Sequence, residues 1–235
     1  MKEGLKNGLL NGVLGVLIVA VGAVCLYPPQ SESVGSESAQ PYRTGNSPDG
    51  VSLTFNVYEG RDVVYGILDV LEKHGAKCTF YIGGCWADDN ADCVKEIFSR
   101  GHEIGNHGYF HKDHAKLSQK ENEREIGVCN EFLRLCTGVT PTLFAPPSGS
   151  FGTAQLAACE ALNMKTVLWS KDTIDWRDRD SSIVYKRATQ NIKAGDIVLM
   201  HPYESTLAAL DKVLIHYENA GLRAVTVSEN LQNGG

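Results

Sequence analysis

The sequence has no Cys-x-x-Cys pair, although it contains seven cysteines, and it has no basic segment with interleaved aromatic residues. The first absence argues against a structural zinc site built on thiolates. The second, together with a net charge of −6, argues against a nucleic-acid partner, and we expect none. With 235 residues, the chain has room for one domain of ordinary size.

A long uncharged run lies near the N-terminus. Residues 9–26 follow Lys2 and Lys6 and are long enough to span a bilayer as a helix, so segment 1–27 is predicted to be a signal or membrane-anchor segment. The run is longer than most cleavable signals and lacks a clean cleavage site, which favours an uncleaved anchor. Because the lysines stay in the cytoplasm, we expect an extracytoplasmic protein, membrane-anchored or secreted.

The next segment has few apolar side chains. Residues 28–49 are rich in Ser, Gly, Glu and Pro, a composition that predicts a flexible linker between the membrane and the domain. A folded domain is then expected over residues 50–235. Within it lie six cysteines, and an even number in an oxidising compartment permits disulfides. Buried, unpaired thiols are an equally good interpretation.

From Val51 onward, strand-like segments alternate with amphipathic helical segments. In the first predicted helix, Val64, Ile67 and Leu68 fall on one face. Helices are predicted at 62–74, 91–100, 118–137, 153–162, 181–192 and 207–220. Strands are predicted at 51–57, 77–83, 102–106, 142–145, 165–169, 196–201 and 223–227. This alternation predicts an α/β fold with a parallel sheet, and closure into a barrel would remove the sheet edges.

The predicted carboxyl ends of the strands carry polar residues, and that is the edge where barrel enzymes place their functional groups. His107 and His111 have a spacing that can point two imidazoles at one divalent metal ion. Surface or capping histidines would show the same spacing. Further polar or aromatic residues at these ends are Asn56, Glu59, Ser148, Asp172, Asp175, Trp176 and His201.

At these positions the sequence resembles the polysaccharide deacetylases of the NodB type, carbohydrate esterases that remove acetyl groups from glycans. The resemblance covers residues 50–232 in five ordered segments. Leu53–Val57 stands at T-F-D-D, His107–His111 at H-[ST]-x-x-H, Phe144–Gly149 at R-P-P-Y-G, Asp172–Trp176 at D-x-x-D-W, and Leu199–His201 at L-x-H. It implies a deformed (β/α)7 barrel of the NodB homology type, here preceded by one transmembrane or signal helix.

The resemblance also implies roles for individual residues. A divalent metal, with zinc favoured, would be held by His107 and His111 and would activate a water molecule. His201 would be the general acid and Asp175 would hold it in place. The remaining implied contacts are with substrate: the Ser148 N–H would bind the oxyanion, Trp176 and Leu199 would wall the acetyl pocket, and Pro147 is a further predicted substrate-binding residue.

The first motif departs from the family pattern. Asn56 stands at the position of the catalytic base and Val57 at that of a metal-binding aspartate, while Ala145 replaces the arginine. An amide can orient a water molecule but cannot deprotonate it. Glu59 is a candidate replacement metal ligand, because in an extended chain it falls on the same side as Val57. His114 is a second candidate.

These observations leave three hypotheses. The first is a metal-dependent hydrolase that removes acetyl groups from an acetylated amino-sugar polysaccharide, such as a cell-wall glycan or a chitin-like oligomer. The second is a catalytically silent glycan-binding or scaffold module, which the three substitutions favour. The third is a deacylase for a small amide or ester, which would differ from the first in the shape of its groove.

Overall fold

The computed structural model describes residues 40–232. The predicted signal or anchor segment, 1–27, and residues 28–39 of the predicted linker lie outside this range. Within it, no helix has the length and hydropathy needed to cross a bilayer. The anchor therefore stays a prediction.

The described chain forms one curled sheet of short strands with helices packed against it. The strands are β1 (Gly50–Val57), β2 (Thr79–Ile82), β3 (Glu103–Asn106), β4 (Leu143–Phe144), β5 (Lys165–Thr166), β6 (Lys171–Asp172), β7 (Ile197–Met200) and β8 (Arg223–Ala224). Every residue of β1 is buried. This burial follows from its central position, where one face meets the sheet interior and the other meets helices.

The strand order along the sheet is β5-β4-β3-β2-β1-β7-β6, and β8 pairs with the beginning of β1. All strand pairs are parallel. The result is the curled α/β half-barrel of the predicted type. The seven predicted strands are present, several of them shorter than expected. Strand β6 was not predicted, because two residues are too few to show a hydrophobic period.

The helices connect successive strands and bury one face each. They are α1 (Arg61–Lys73), α2 (Gly84–Asp89), α3 (Ala91–Ser99), α4 (Gln119–Thr137), α5 (Thr153–Ala161), α6 (Asp175–Asp178), α7 (Ser181–Thr189), α8 (Glu204–Asn219) and α9 (Val227–Gln232). Helix α4 begins where the sequence predicts, because Ser118 and Glu121 form a capping box. It ends at Gly138, whose left-handed backbone (φ 79°) suits glycine.

The predicted linker is corrected at its C-terminal end. Tyr42 N–H donates to the Thr166 carbonyl (2.9 Å), and Gly45 N–H donates to the Gly195 carbonyl (2.7 Å). Ser47 is buried. Residues 42–47 are therefore part of the domain, which begins before the predicted boundary at residue 50. Composition did not reveal this, because backbone hydrogen bonds hold the segment and leave no apolar pattern.

The cysteines of the described chain are all free thiols. Four of them, Cys78, Cys93, Cys129 and Cys159, are buried. Of the two interpretations open from the sequence, this arrangement agrees with buried, unpaired thiols that pack as small apolar side chains.

Candidate functional site

A cavity of about 650 Å³ lies at the C-terminal end of the sheet. It collects residues that follow β1, β3, β4 and β7, which are distant in sequence and meet because parallel strands end at one edge. Eight of the predicted site residues line it: Asn56, Glu59, His107, His111, Ser148, Trp176, Leu199 and His201. The other two, Asp175 and Pro147, are buried next to it.

His201 is held against a fully buried carboxylate. Its Nδ1–H donates to Asp175 Oδ1 (2.8 Å), and its backbone N–H donates to Asp175 Oδ2 (2.7 Å). Asp175 also accepts from Thr206 Oγ1 (2.6 Å) and from the Trp176 N–H (2.9 Å). With Nδ1 engaged, the Nε2 atom of His201 is the ring nitrogen left for the cavity. The predicted pairing of these two residues is present.

His107 follows β3 directly and is buried, with its Nδ1–H donating to the Ala145 carbonyl (2.7 Å). This bond leaves the Nε2 atom as a lone-pair acceptor. Burial, with a smaller contribution from the neighbouring His111, lowers the pKa of His107 to about 3, so the ring is neutral at pH 7. The two ring centroids are 5.2 Å apart. Burial also lowers the pKa of His111.

The positions of the family's two aspartates have no carboxylate. Asn56 is 6% exposed, lines the cavity, and its Oδ1 atom has no hydrogen-bond partner in the described chain. Val57 is fully buried among the apolar side chains of the core and does not line the cavity. Ala145, at the arginine position, is also buried. The arginine and the acids are therefore missing together.

The predicted third metal ligand is not assembled. In residues 40–232, no three His, Cys, Asp or Glu side chains form a group that could hold a metal ion. Glu59 lines the cavity, but its Oε1 atom accepts a hydrogen bond from Tyr203 Oη (2.5 Å). The carboxylate is held in that direction by the tyrosine. The prediction that Glu59 joins His107 and His111 is thus corrected.

His114, the second candidate ligand, is fully buried away from the cavity lining. Its Nδ1–H donates to Asn122 Oδ1 (2.5 Å), and its ring packs on Phe144 with centroids 4.9 Å apart. Two histidines therefore remain at the position of the family's metal. A catalytic zinc site uses three protein ligands, so the residues present do not fit that group.

The predicted substrate contacts are partly placed at the cavity. Leu199 and Trp176 both line it, and Trp176 is 50% exposed, which leaves its ring free to stack on a ligand. Ser148 lines it with a left-handed backbone (φ 55°). Pro147 is buried beneath this turn and does not line the cavity. Its predicted contact with substrate stays a prediction, since Pro147 is not one of the lining residues.

Several lining residues were not predicted as site residues. They are Tyr58, Trp169, Asp172, Pro202 and Tyr203. Tyr58 packs its ring 4.9 Å from that of His111, and its hydroxyl donates to the Tyr109 carbonyl (3.2 Å). Each of these residues lies within two positions of a predicted strand end or motif. Proximity to those ends was the available signal, and only the side-chain directions were missing.

Comparison with known proteins gives the family. Residues 43–167 match the family model described as polysaccharide deacetylase. The chain is 35% identical over 207 residues to the uncharacterized protein YlxY of Bacillus subtilis, covering 87% of this chain and 65% of that protein. It is 32% identical to the peptidoglycan-N-acetylglucosamine deacetylase PgdA of Listeria monocytogenes, covering 76% of this chain and 38% of that protein.

Solved structures similar to this chain belong to the same family. The wild-type BA3943 protein of Bacillus anthracis, described as a CE4 family pseudoenzyme, is 34% identical with a TM-score of 0.80. That match covers 83% of this chain and 70% of the other. A BA3943 mutant described as having restored enzymatic activity superposes with the same TM-score, 0.80, at 32% identity, and the match covers 83% of this chain and 72% of the mutant. This chain belongs to the polysaccharide deacetylase family.

Proposed function

We propose that this domain binds an amino-sugar glycan of the cell wall without removing its acetyl groups. The family is one of glycan deacetylases, and the sequence left both a hydrolase and a silent binding module open. The geometry supports the second better. A silent binding module also agrees with the description of BA3943, which is 34% identical to this chain, as a pseudoenzyme.

One observation carries this proposal: the cavity has no carboxylate where the family's base and third metal ligand stand. The amide of Asn56 cannot take a proton from water at neutral pH. The side chain of Val57 is buried in the core and offers no ligand atom. A general acid alone, His201, leaves the attacking water without activation. We expect the uncatalysed barrier for amide hydrolysis to remain almost intact.

The glycan part of the proposal is supported by the family and by the cavity. PgdA of Listeria is described as acting on peptidoglycan N-acetylglucosamine. The cavity here is open and is lined by the aromatic rings of Tyr58, Trp169, Trp176 and Tyr203. Flat aromatic faces cover the apolar faces of sugar rings, while the polar groups between them fix orientation.

The location is also a proposal. The uncharged run over residues 9–26, preceded by lysines, supports a membrane anchor with the domain outside the cytoplasm. Such a position would bring the cavity to the cell wall. An alkaline-phosphatase fusion after residue 40 should be active, because this reporter forms its disulfides only outside the cytoplasm, and an intact but inactive fusion would contradict this.

The binding experiment uses the full chain, purified in a nonionic detergent, with insoluble peptidoglycan. We expect it to sediment with the peptidoglycan, and Trp176→Ala to weaken binding about fivefold, because a stacked ring contributes about 1 kcal/mol. Leu135→Ala is the matched control, since Leu135 is an exposed apolar side chain on α4 that does not line the cavity. Equal loss in the two variants would contradict binding in the cavity.

The activity experiment measures acetate released from peptidoglycan and from N-acetylglucosamine oligomers, with and without added zinc. We expect no release above the buffer rate. The intact His201–Asp175 pair is the feature that favours residual hydrolysis. Acetate release by the wild type that the His201→Ala variant lacks would therefore refute the proposal of a silent module and support the hydrolase hypothesis.

A further inference from the structure

The cavity is negatively charged and has no basic lysine or arginine. Glu59 and Asp172 line it, whereas no lysine or arginine of the described chain does. Neither carboxylate forms an ion pair within residues 40–232. Arg179 stacks on the ring of Tyr203 and, together with Glu59 and Tyr203, lines an adjoining cavity of about 280 Å³. Two carboxylates that form no ion pair among the described residues, in a concave site without a lining lysine or arginine, favour the binding of a cation.

The side of the cavity near β1 and β3 also carries hydrogen-bond acceptors that a ligand could use. Asn56 Oδ1 is buried and has no hydrogen-bond partner in the described chain. The Nε2 atom of His107 is an acceptor, because its Nδ1–H already donates to the Ala145 carbonyl. A buried acceptor without a donor costs about 1–3 kcal/mol. A ligand with several N–H donors would remove that cost.

A metal ion would satisfy the same acceptors, but the chain supplies too few ligands for one. An ammonium group needs no fixed coordination number and brings three N–H donors. The aromatic lining can add favourable cation–π contacts, since Tyr58, Trp169 and Tyr203 line the same cavity. An acetamido group brings one N–H donor and a carbonyl oxygen, which would face acceptors.

We propose that the cavity binds a glucosamine unit through its free ammonium group, in preference to an N-acetylglucosamine unit. This inference rests on the proposed function, because it specifies which form of the glycan is bound. The ligand must be supplied by an N-deacetylation reaction carried out by another protein. The chain would then recognise the product of the chemistry that its fold performs in active relatives.

The test is calorimetric titration of the full chain in nonionic detergent, with a metal chelator present and about 0.15 M salt. The ligands are a glucosamine tetramer and an N-acetylglucosamine tetramer. We expect the glucosamine tetramer to bind at least about tenfold more tightly, since a desolvated ammonium with aromatic and carboxylate contacts contributes well over 1 kcal/mol.

Two variants separate specific recognition from general attraction between an acidic protein and a cationic oligomer. Glu59→Gln keeps an acceptor for the Tyr203 hydroxyl and removes the charge, so the glucosamine tetramer should bind about fivefold more weakly while the N-acetylated tetramer is unaffected. Glu123→Gln removes the same charge from α4, outside the cavity, where Glu123 contacts Gln119. It should bind both ligands as the wild type does.

The possible outcomes are distinct. Equal affinity for the two tetramers, or tighter binding of the acetylated one, would overturn the ammonium proposal and leave the glycan-binding function standing. An equal loss in Glu59→Gln and Glu123→Gln would also overturn it, because the attraction would then be nonspecific. Binding that requires added zinc would do the same. Failure of both tetramers and of whole peptidoglycan to bind would refute the proposed function itself.

Discussion

Restoring the two missing carboxylates tests most directly whether their absence prevents metal binding in the cavity. The change is the double variant Asn56→Asp and Val57→Asp. Val57 is fully buried at the end of β1, within the main core cluster. A carboxylate at that position loses about 1.5–3 kcal/mol of apolar burial. It also leaves a buried charge without a partner, and such charges typically cost 3–5 kcal/mol.

These costs overlap, since a charge at the end of a strand can turn toward the cavity, and we expect a net loss of about 3–5 kcal/mol in the free energy of unfolding. A domain of this kind has about 5–15 kcal/mol in total. Zinc changes the balance, because the restored carboxylate would complete a three-ligand site with His107 and His111. At a free zinc concentration of about a hundred times the dissociation constant, binding returns about 2.7 kcal/mol.

The assay is urea unfolding of the full chain, followed by tryptophan fluorescence, with and without zinc. The wild type should show no zinc-dependent shift in its midpoint, and the double variant should show one. Val57→Asn is the matched control: it has the shape of the acid without its charge, so it should be destabilised whether or not zinc is present. A wild type that zinc stabilises as much as the double variant would refute the argument that its residues do not fit the metal.

Three further predictions concern stability. Burial opposes a charge on His74, but hydrogen bonds to Asp211 and Glu218 raise its pKa above 6.5. Its contribution to the free energy of unfolding is therefore complete below about pH 6.5 and is lost as the pH rises through the raised pKa. Unfolding in urea at about pH 6 and about pH 9 measures this loss. Ser118→Ala removes the capping box of α4 and should cost about 1 kcal/mol, measured by the same unfolding. Asp175→Asn weakens four hydrogen bonds at a fully buried site, and a thermal melt should show a loss of about 3 kcal/mol.

Each of these has a result that would contradict it. A pH profile unchanged in His74→Gln would show that other groups cause the dependence. Ser99→Ala is the control for the cap, since Ser99 closes α3 with hydrogen bonds to Glu96 at an exposed end and should cost less. An Asp175→Asn variant as stable as the wild type would mean that its hydrogen bonds do not hold β7 to α8.

The sequence predicted the fold well because apolar residues recur with the period of a helix or lie in continuous strand-like runs. The apolar stripe of α1 and the buried β1 each repeat a pattern over many residues, and the capping box at Ser118 fixes the start of α4. Strand β6 and the attachment of residues 42–47 have no such pattern. Both depend on backbone hydrogen bonds to distant parts of the chain, which composition does not encode.

The sequence predicted which residues lie at the cavity better than it predicted their contacts. Position at a strand end was enough to bring Asn56, His107 and His201 to one cavity. The direction of a side chain depends on its neighbours, which the sequence pattern does not give: Tyr203 donates a hydrogen bond to the carboxylate of Glu59, and Pro147 is buried. Neither contact is visible until the loops are placed in space.

The retained His201–Asp175 pair does not by itself indicate catalysis, because Asp175 has a structural reason to remain. Its carboxylate accepts from the His201 backbone and from Thr206 Oγ1, so it joins the end of β7 to the first turn of α8. Asn56 and Ala145 stand at the positions of the family's base and arginine, so neither of those two charges is present without the other. The cavity therefore keeps the His201–Asp175 pair for a structural reason, while Glu59, Asp172 and the unpartnered Asn56 Oδ1 line it as the groups that we propose to contact a cationic sugar.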